Sequence, residues 1–388
     1  MQAKQSMTSW QRVDAAVALQ IPDRVPVIIN GEAHFAKLAG LTPTDVVGPT
    51  DRPPFNVDKA ERAFRTAWEK YGGWDAVWLG PLFYLLYSGL CPPFSATREV
   101  RLPGVDYPAD SQAHLELIED PPMMDENGYD LLLEEGFIRF LNLRKMGIVT
   151  TFFRPFILSD KLVKIFEYWY ERKVPWWGMG RTSTPIEIFS YMRGLRWLTD
   201  IHRRRDKIKQ AADMIVDGLI AGALISARAN RKYSNMMMIE CHRGGNTYFS
   251  PRIFSEIYLP YLKKMVNSFT NEGFNVFLHL DSSYDLNLEY FRELPKGRVV
   301  LELDGTTDIV KAKRILGDCC CIKGDVPATL LELGSARDVE NYCKKLIDVV
   351  GEGGGFILSN ACEIPVNAKF ENVKTLLNTA KTYGVYRK

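Results

Sequence analysis

Eight short apolar runs, rich in β-branched or aromatic residues, constrain this chain more than any other feature. They are RVPVIIN (24–30), DAVWLG (75–80), VPWWGMG (174–180), NMMMIEC (235–241), FNVFLHL (274–280), RVVLEL (298–303), CCCIKGDV (319–326) and GFILSN (355–360). Each is bounded by turn residues and too short for a helix, so each reads as a strand. Helical patterns fill the later gaps: SPRIFSEIYLPYLKKMVNSFTNEG (250–273), YDLNLEYFREL (284–294), TTDIVKAKRILG (306–317), SARDVENYCKKLIDVVG (335–351) and FENVKTLLNTAKTYG (370–384). Ser250 fits an N-cap, with Pro251 at the first helical position. Strand alternating with helix predicts a parallel sheet covered on both faces. Eight repeats predict an α/β fold, a (β/α)₈ TIM barrel.

With 388 residues, one barrel leaves surplus chain. The surplus falls at about 81–172, after the second strand, and is read as an insertion over one rim of a single 1–388 domain. It holds PGVDYPAD (103–110), DPPMMDENGYD (120–130), FEYWYERK (166–173) and a candidate extra strand, GIVTTFF (147–153). The aromatic FEYWYERKVPWW stretch fits core or insertion packing, or the rim of a pocket for an aromatic ligand.

Charge narrows the function classes. Forty-nine Lys and Arg against forty-seven Asp and Glu give a net charge of +2, with no long basic run. No nucleic-acid partner is expected from bulk charge. No apolar run reaches the roughly 18–20 residues of a membrane span, and the polar N-terminus shows no signal-peptide core, so no membrane association and a cytoplasmic location are expected. Seven cysteines without a CxxC, three of them consecutive (Cys319, Cys320, Cys321), fit a reducing compartment better than a disulfide scaffold. Adjacent strand residues face opposite ways, so these three read as small buried hydrophobes. GEGGGF (351–356) precedes a strand and reads as a tight turn, and the RRR run (203–205) as a solvated face.

Barrel chemistry sits where strands end. The runs end on Asn30-Gly31-Glu32, Gly180-Arg181, Glu240-Cys241-His242, His279-Leu280-Asp281, Glu302-Leu303-Asp304, Lys323-Gly324-Asp325 and Asn360-Ala361-Cys362. The opposite ends carry Arg24, Lys173, Asn275 and Arg298, which read as solvated charge. His279 and Asp281 are two apart, so they share a side and can bind one divalent metal or act as an acid/base pair. With Cys362 and Glu240 they form a mixed N/S/O set that suits zinc with an open position. The same groups can instead form a metal-free hydrogen-bond network. Within Glu240-Cys241-His242, inward alternation selects Glu240, with Cys241 in reserve.

Several segments carry a family likeness. RVDAAVALQIPDRVPV near the N-terminus, STPIEIFSYMRGLRWLTDIHRRRDKIKQAADMI (183–215), SPRIFSEIYLPYLKKM and the tail GGGFILSNACEIPVNAKFENVKTLLNTAKTYG keep their order along almost the whole chain. Together they resemble the uroporphyrinogen decarboxylase superfamily. True decarboxylases of that family carry an Arg-Gln-Ala-Gly-Arg segment that grips substrate carboxylates. The corresponding INGEAHFAKLAG (29–40) lacks those arginines. The corrinoid-dependent methyltransferase branch uses zinc at a His-x-Cys and a distal Cys. His279 and Cys362 match it, and Asp281 stands in place of the first Cys.

The resemblance implies a zinc-dependent methyltransferase that moves a methyl group between a small methylated compound, methoxylated aromatic or methylamine-type, and a corrinoid. The chain shows no Asp-x-His-x-x-Gly segment, so the cobalamin (corrinoid) is expected on a partner corrinoid protein, and the family leaves room for a homodimer. Its expected metal ligands are His279, Cys362, Glu240 and Asp281, and its expected catalytic residues Glu240, His279 and Asp281. Asn30, Glu32, Arg181, Lys323 and Asn360 are the expected substrate contacts. The alternative is a metal-free decarboxylase in which Arg181, Lys323 and the carboxylates bind and protonate an acidic substrate. A non-catalytic binding barrel is disfavoured, because packing alone does not call for so many ionisable groups at one rim.

Overall fold

The computed structural model describes residues 6–46, 57–78, 99–101, 108–110, 116–118, 120, 122–143 and 160–386. Described segments of all eight expected runs lie in one ring of parallel strands. We number them β1 (the extended segment 25–29), β2 (Val77–Trp78), β3 (Trp176–Trp177, then Gly180–Ser183), β4 (Met236–Glu240), β5 (Asn275–Leu280), β6 (Val299–Leu303), β7 (Cys321–Val326) and β8 (Phe356–Asn360). The Gly180–Ser183 part of β3 and strands β4 to β8 form one parallel sheet in sequence order, and the Trp176–Trp177 part pairs in parallel with β2.

Backbone hydrogen bonds close the ring. Leu358 N donates to Pro26 O (2.9 Å) and Ile28 N to Leu358 O (3.1 Å), joining β8 to β1. Asp75 N donates to Val27 O (2.7 Å), Val77 N to Pro175 O (2.9 Å) and Trp176 N to Tyr233 O (3.0 Å), carrying the ring through β2 and β3. The result is a TIM barrel. Candidate strand GIVTTFF (147–153) and residues 81–98 of the expected insertion lie outside the described residues. The described part of that stretch includes an antiparallel pair, Glu99–Arg101 with Glu116–Ile118, and helices Gly128–Glu135 and Phe137–Leu143.

Three expected helices form nearly as read: Ile309–Leu316 capped by Asp308, Ala336–Val349 capped by Ser335, and Phe370–Thr382. Two differ, for local reasons. In 284–294 the structure is a 3₁₀ helix, Leu288–Glu293. The buried Leu288, Phe291 and Leu294 recur every third residue, the 3₁₀ period. In 250–273 Ser250 does cap the helix, but Phe254–Tyr258 widens to a π turn. Pro260 lies two residues past its end, with no N–H for the carbonyl of residue 256 and a ring that crowds it, so the helix gives way there.

FEYWYERK belongs to helix Asp160–Glu171, outside the barrel. Phe166 packs edge-on against Trp176 and Trp169 against Trp68, so this stretch is core packing and not a pocket rim. The arginine run joins two helices, with Arg204 on Glu126 (3.2 Å) and Arg205 on Glu256 (2.9 Å), so two of the three are paired rather than merely solvated. Cys319, Cys320 and Cys321 are buried apolar contacts, as expected. Helix Arg205–Ala229 is long and apolar enough to cross a membrane by length and composition, although Asp213 and Asp217 interrupt its apolar sequence. Ile208, Ala211, Ile215, Leu219 and Ala223 on it are buried in the fold.

The lower end of the barrel corrects one expectation: Arg24 is not solvated. It is buried, and it donates to both oxygens of the buried Asp75 (2.7 and 2.9 Å). Arg12, from helix Ser9–Val17, donates to Asp75 (2.7 Å) and to Asp23 (2.6 Å), while Val27 N and the Ser9 hydroxyl add donors to Asp75 (2.8 and 3.0 Å). One carboxylate thus ties the N-terminal helix, β1 and the approach to β2. Burial alone would raise Asp75, but Arg24 and Arg12 outweigh it and hold it below the usual carboxylate range. Asp23, opposed by burial and favoured by Arg12, falls to about 2. Removing one partner of a buried pair leaves uncompensated charge. We therefore expect Asp75→Asn to cost about 3–5 kcal/mol in urea unfolding. Because both folded-state carboxyls lie low, their contribution is complete above about pH 4 and is lost as pH falls toward 2. Asp75→Asn should lose less stability than the parent over that window.

Candidate metal centre

Parallel register places the polar layer at the mouth. Glu240 pairs with His279, His279 with Glu302, and Glu302 with Lys323, so four consecutive strands present these side chains as neighbours. Beneath them lies an aromatic floor. Phe277 stacks on Trp177 (5.1 Å between centroids) and meets Trp78 (5.1 Å), and Trp78 also lies 5.6 Å from the His279 ring.

Three side chains converge above that floor. His279 Nε2 lies 3.2 Å from Asp281 Oδ2, and His242 Nε2 lies 3.5 Å from the same oxygen. The two rings meet edge to face at 5.3 Å. One ligand atom from each of His242, His279 and Asp281 falls within 4.8 Å of the others, a spacing that one metal ion can bridge. Cys362 interacts with both His279 and Asp281. It is reached by solvent from the mouth, yet the surrounding protein and the Asp281 carboxylate push its thiol up to about 12.

Electrostatics and the next layer of residues fit a cation here. Asp281 Oδ1 is buried and makes no hydrogen bond, an orphan that a metal would satisfy. Burial opposes ionisation of Asp281, but His279 and then His242 hold it low. On the far side of His279, Nδ1 lies 3.4 Å from Glu302 Oε2, and Lys323 pairs with the other Glu302 oxygen. Burial raises Glu302, and Lys323 with His279 outweighs it to keep the group ionised. A carboxylate behind a histidine, its other nitrogen facing the site, is how metal-binding histidines are oriented. Coordination would also ionise the Cys362 thiol, since a bound cation reverses the effect of burial.

The other expected residues lie around this group. Glu240 does not join it: Arg181 pairs with one of its oxygens and the Ser183 hydroxyl donates to the other (2.6 Å). Asn30 N donates to Asn360 Oδ1 (3.0 Å) and Asn360 Nδ2 donates to Asn30 O (3.1 Å), clasping the ends of β1 and β8. Glu32 is buried against Glu363, and burial with that neighbour raises it well above the usual range. Cys241 is buried, and Tyr284 donates to its carbonyl (2.7 Å).

Sequence alternation favoured Glu240 over His242, because it could not show that the chain leaves the strand after Glu240. The cue is Gly244-Gly245. There the loop turns back so closely that Asn246 N donates to Ser283 O (2.6 Å). Glu187 and Tyr191, which stand behind His242, were also missed. Their signal is the i, i+4 spacing on helix Pro185–Arg193, capped by Thr184. A Cβ on Gly245 would fall on the Ser282 side chain and 2.5 Å from Ser283 O. Gly245→Ala should therefore destabilise the protein by about 1–3 kcal/mol, read as a lowered thermal midpoint.

Comparison with known proteins agrees with the barrel. Residues 163–383 match the model of the Uroporphyrinogen decarboxylase (URO-D) family, a stretch that carries β3 to β8 and His242, His279, Asp281 and Cys362. Uroporphyrinogen decarboxylase from Hordeum vulgare is 32% identical over 140 residues, covering 35% of this chain and 40% of its own length. Chloroplastic uroporphyrinogen decarboxylase 2 from Oryza sativa subsp. japonica is 31% identical over 140 residues, covering 35% of this chain and 34% of its own length. The matches thus span well under half of these relatives. A methyltransferase from Methanosarcina mazei superposes with a TM-score of 0.65 at 18% identity, over 97% of this chain and 99% of that one, and so shares the fold. By the extent of the family match, the chain belongs to the uroporphyrinogen decarboxylase family.

Proposed function

We propose that the protein is a zinc-dependent methyltransferase that moves a methyl group between a small methylated compound, methoxylated aromatic or methylamine-type, and a corrinoid carried by a separate protein. The observation that carries the reading is the convergence of two histidine Nε2 atoms on Asp281, whose second oxygen is buried without a partner. His279, Asp281 and Cys362 would hold the ion, with His242 as the further ligand in place of Glu240. Zinc supplies Lewis acidity to a bound oxygen, nitrogen or sulfur.

The chain's own residues do the rest. Glu302, held by Lys323, places a carboxylate oxygen 3.4 Å from His279 Nδ1, on the side of the ring away from the site. Trp78 and Phe277 keep water from reaching His279 from below. The Asn30–Asn360 clasp fixes the rim between β1 and β8. Glu240, paired with Arg181, forms the adjoining polar wall. Lys323 is buried and engaged by Glu302, which weighs against its gripping an acidic substrate.

Elemental analysis of purified protein tests the ligands: we expect about one zinc per chain in the parent, and loss of most of it in His279→Ala and in Cys362→Ser. Full occupancy in both variants would overturn the assignment. Incubation with a reduced corrinoid protein and candidate methyl donors should change the corrinoid absorption spectrum. Carbon dioxide release from a candidate acid by metal-free protein, with no corrinoid change, would favour the decarboxylase instead.

A further inference from the structure

We propose that Tyr191 is a positioning residue for the metal centre: it accepts a hydrogen bond from Nδ1–H of His242, donates its own hydroxyl hydrogen bond to Glu187, and so holds His242 in the tautomer whose bare Nε2 faces Asp281. The inference rests on the zinc reading above and deepens it, by adding the groups that prepare the second histidine.

The geometry leaves few arrangements. Tyr191 Oη lies 2.5 Å from His242 Nδ1 and 3.3 Å from Glu187 Oε1. A tyrosine has a single hydrogen to donate. Glu187 Oε1 already accepts Arg243 N (2.5 Å), so it faces donors, and the Tyr258 hydroxyl stands 3.5 Å from Oε2. With the tyrosine hydrogen on Glu187, the short contact to Nδ1 has to be filled by the ring's own N–H. A neutral imidazole has only one, so Nε2 is left as an acceptor. In the opposite arrangement Nε2 would carry the hydrogen, donate to Asp281, and be unable to bind a metal.

Local structure builds this arrangement from one helix. Thr184 caps helix Pro185–Arg193 through Glu187 N (3.2 Å), and all nine of its residues are buried. Glu187 and Tyr191 are four apart and share a face. The Arg243 guanidinium lies 5.3 Å from the Tyr191 ring and donates to Ser190 O (3.2 Å), so the residue after His242 is fastened to the same helix. The two histidines then have similar layouts: each Nε2 points at Asp281, and each Nδ1 faces an oxygen, that of Glu302 at 3.4 Å on one side and that of Tyr191 at 2.5 Å on the other. Glu302 is the carboxylate expected behind a metal-binding histidine, and a tyrosine backed by a buried carboxyl serves the same end.

The experiment compares zinc affinity, by competition with a chromophoric chelator, in the parent, His242→Ala and Tyr191→Phe, with the thermal midpoint of each metal-free protein recorded alongside. We expect Tyr191→Phe to weaken zinc binding by about 10- to 100-fold with a near-parental midpoint, and His242→Ala to weaken it at least as much. Parental affinity in Tyr191→Phe, with loss in His242→Ala, would overturn the role of Tyr191 and leave the metal reading standing. Parental affinity in His242→Ala would remove His242 from the ligands and the proposal with it. A parent that binds no zinc would fail the metal reading itself. A second measurement needs no variant. The chain has five histidines, so long-range ¹⁵N–¹H correlation of the metal-free parent can assign the tautomer of each ring before zinc imposes one. Hydrogen on Nδ1 of His242 supports the proposal, and an unprotonated Nδ1 overturns it.

Discussion

The constraint on which the rest depends is the closed ring of parallel strands and its register. A parallel strand cannot slip by one residue without turning every side chain to the other face. In this barrel the register sets Glu240 beside His279, His279 beside Glu302 and Glu302 beside Lys323. Four ionisable groups from four strands thereby meet in one layer, with hydrophobic rows such as Met238, Phe277 and Val300 beneath them. The buried charges are tolerable because they are paired where they stand, Lys323 with Glu302 and Arg181 with Glu240.

The two ends of the barrel use buried charge differently. At the lower end Asp75 has a donor on each side: two arginines, a backbone N–H and a hydroxyl. Its hydrogen-bonding capacity is spent and it serves as a structural tie. At the mouth, Asp281 has one oxygen facing two histidines and another with no hydrogen bond. A saturated carboxylate holds elements together, whereas one with spare capacity is ready for a ligand. This contrast separates the two clusters without reference to any relative.

Most of the barrel was legible in the sequence, because strand runs and helix periods are local signals. His279, Asp281 and Cys362 were legible for the same reason, being residues at or just past strand ends. His242 was harder to place: strand alternation stops at Glu240, and from there loop geometry decides which side chain faces the centre. The Arg24–Asp75 tie was invisible because its partners are 51 residues apart, and a lone arginine at a strand start looks like surface. The π turn before Pro260 and the 3₁₀ helix at Leu288–Glu293 were blurred because a helical apolar pattern over one or two turns does not separate periods of 3.0 and 3.6.

The aromatic floor has a consequence for traffic. Trp78, Trp177 and Phe277 are all buried, and they fill the barrel axis directly beneath His279. They close off His279 from below. Whatever binds at His279 therefore meets these rings as its lower limit.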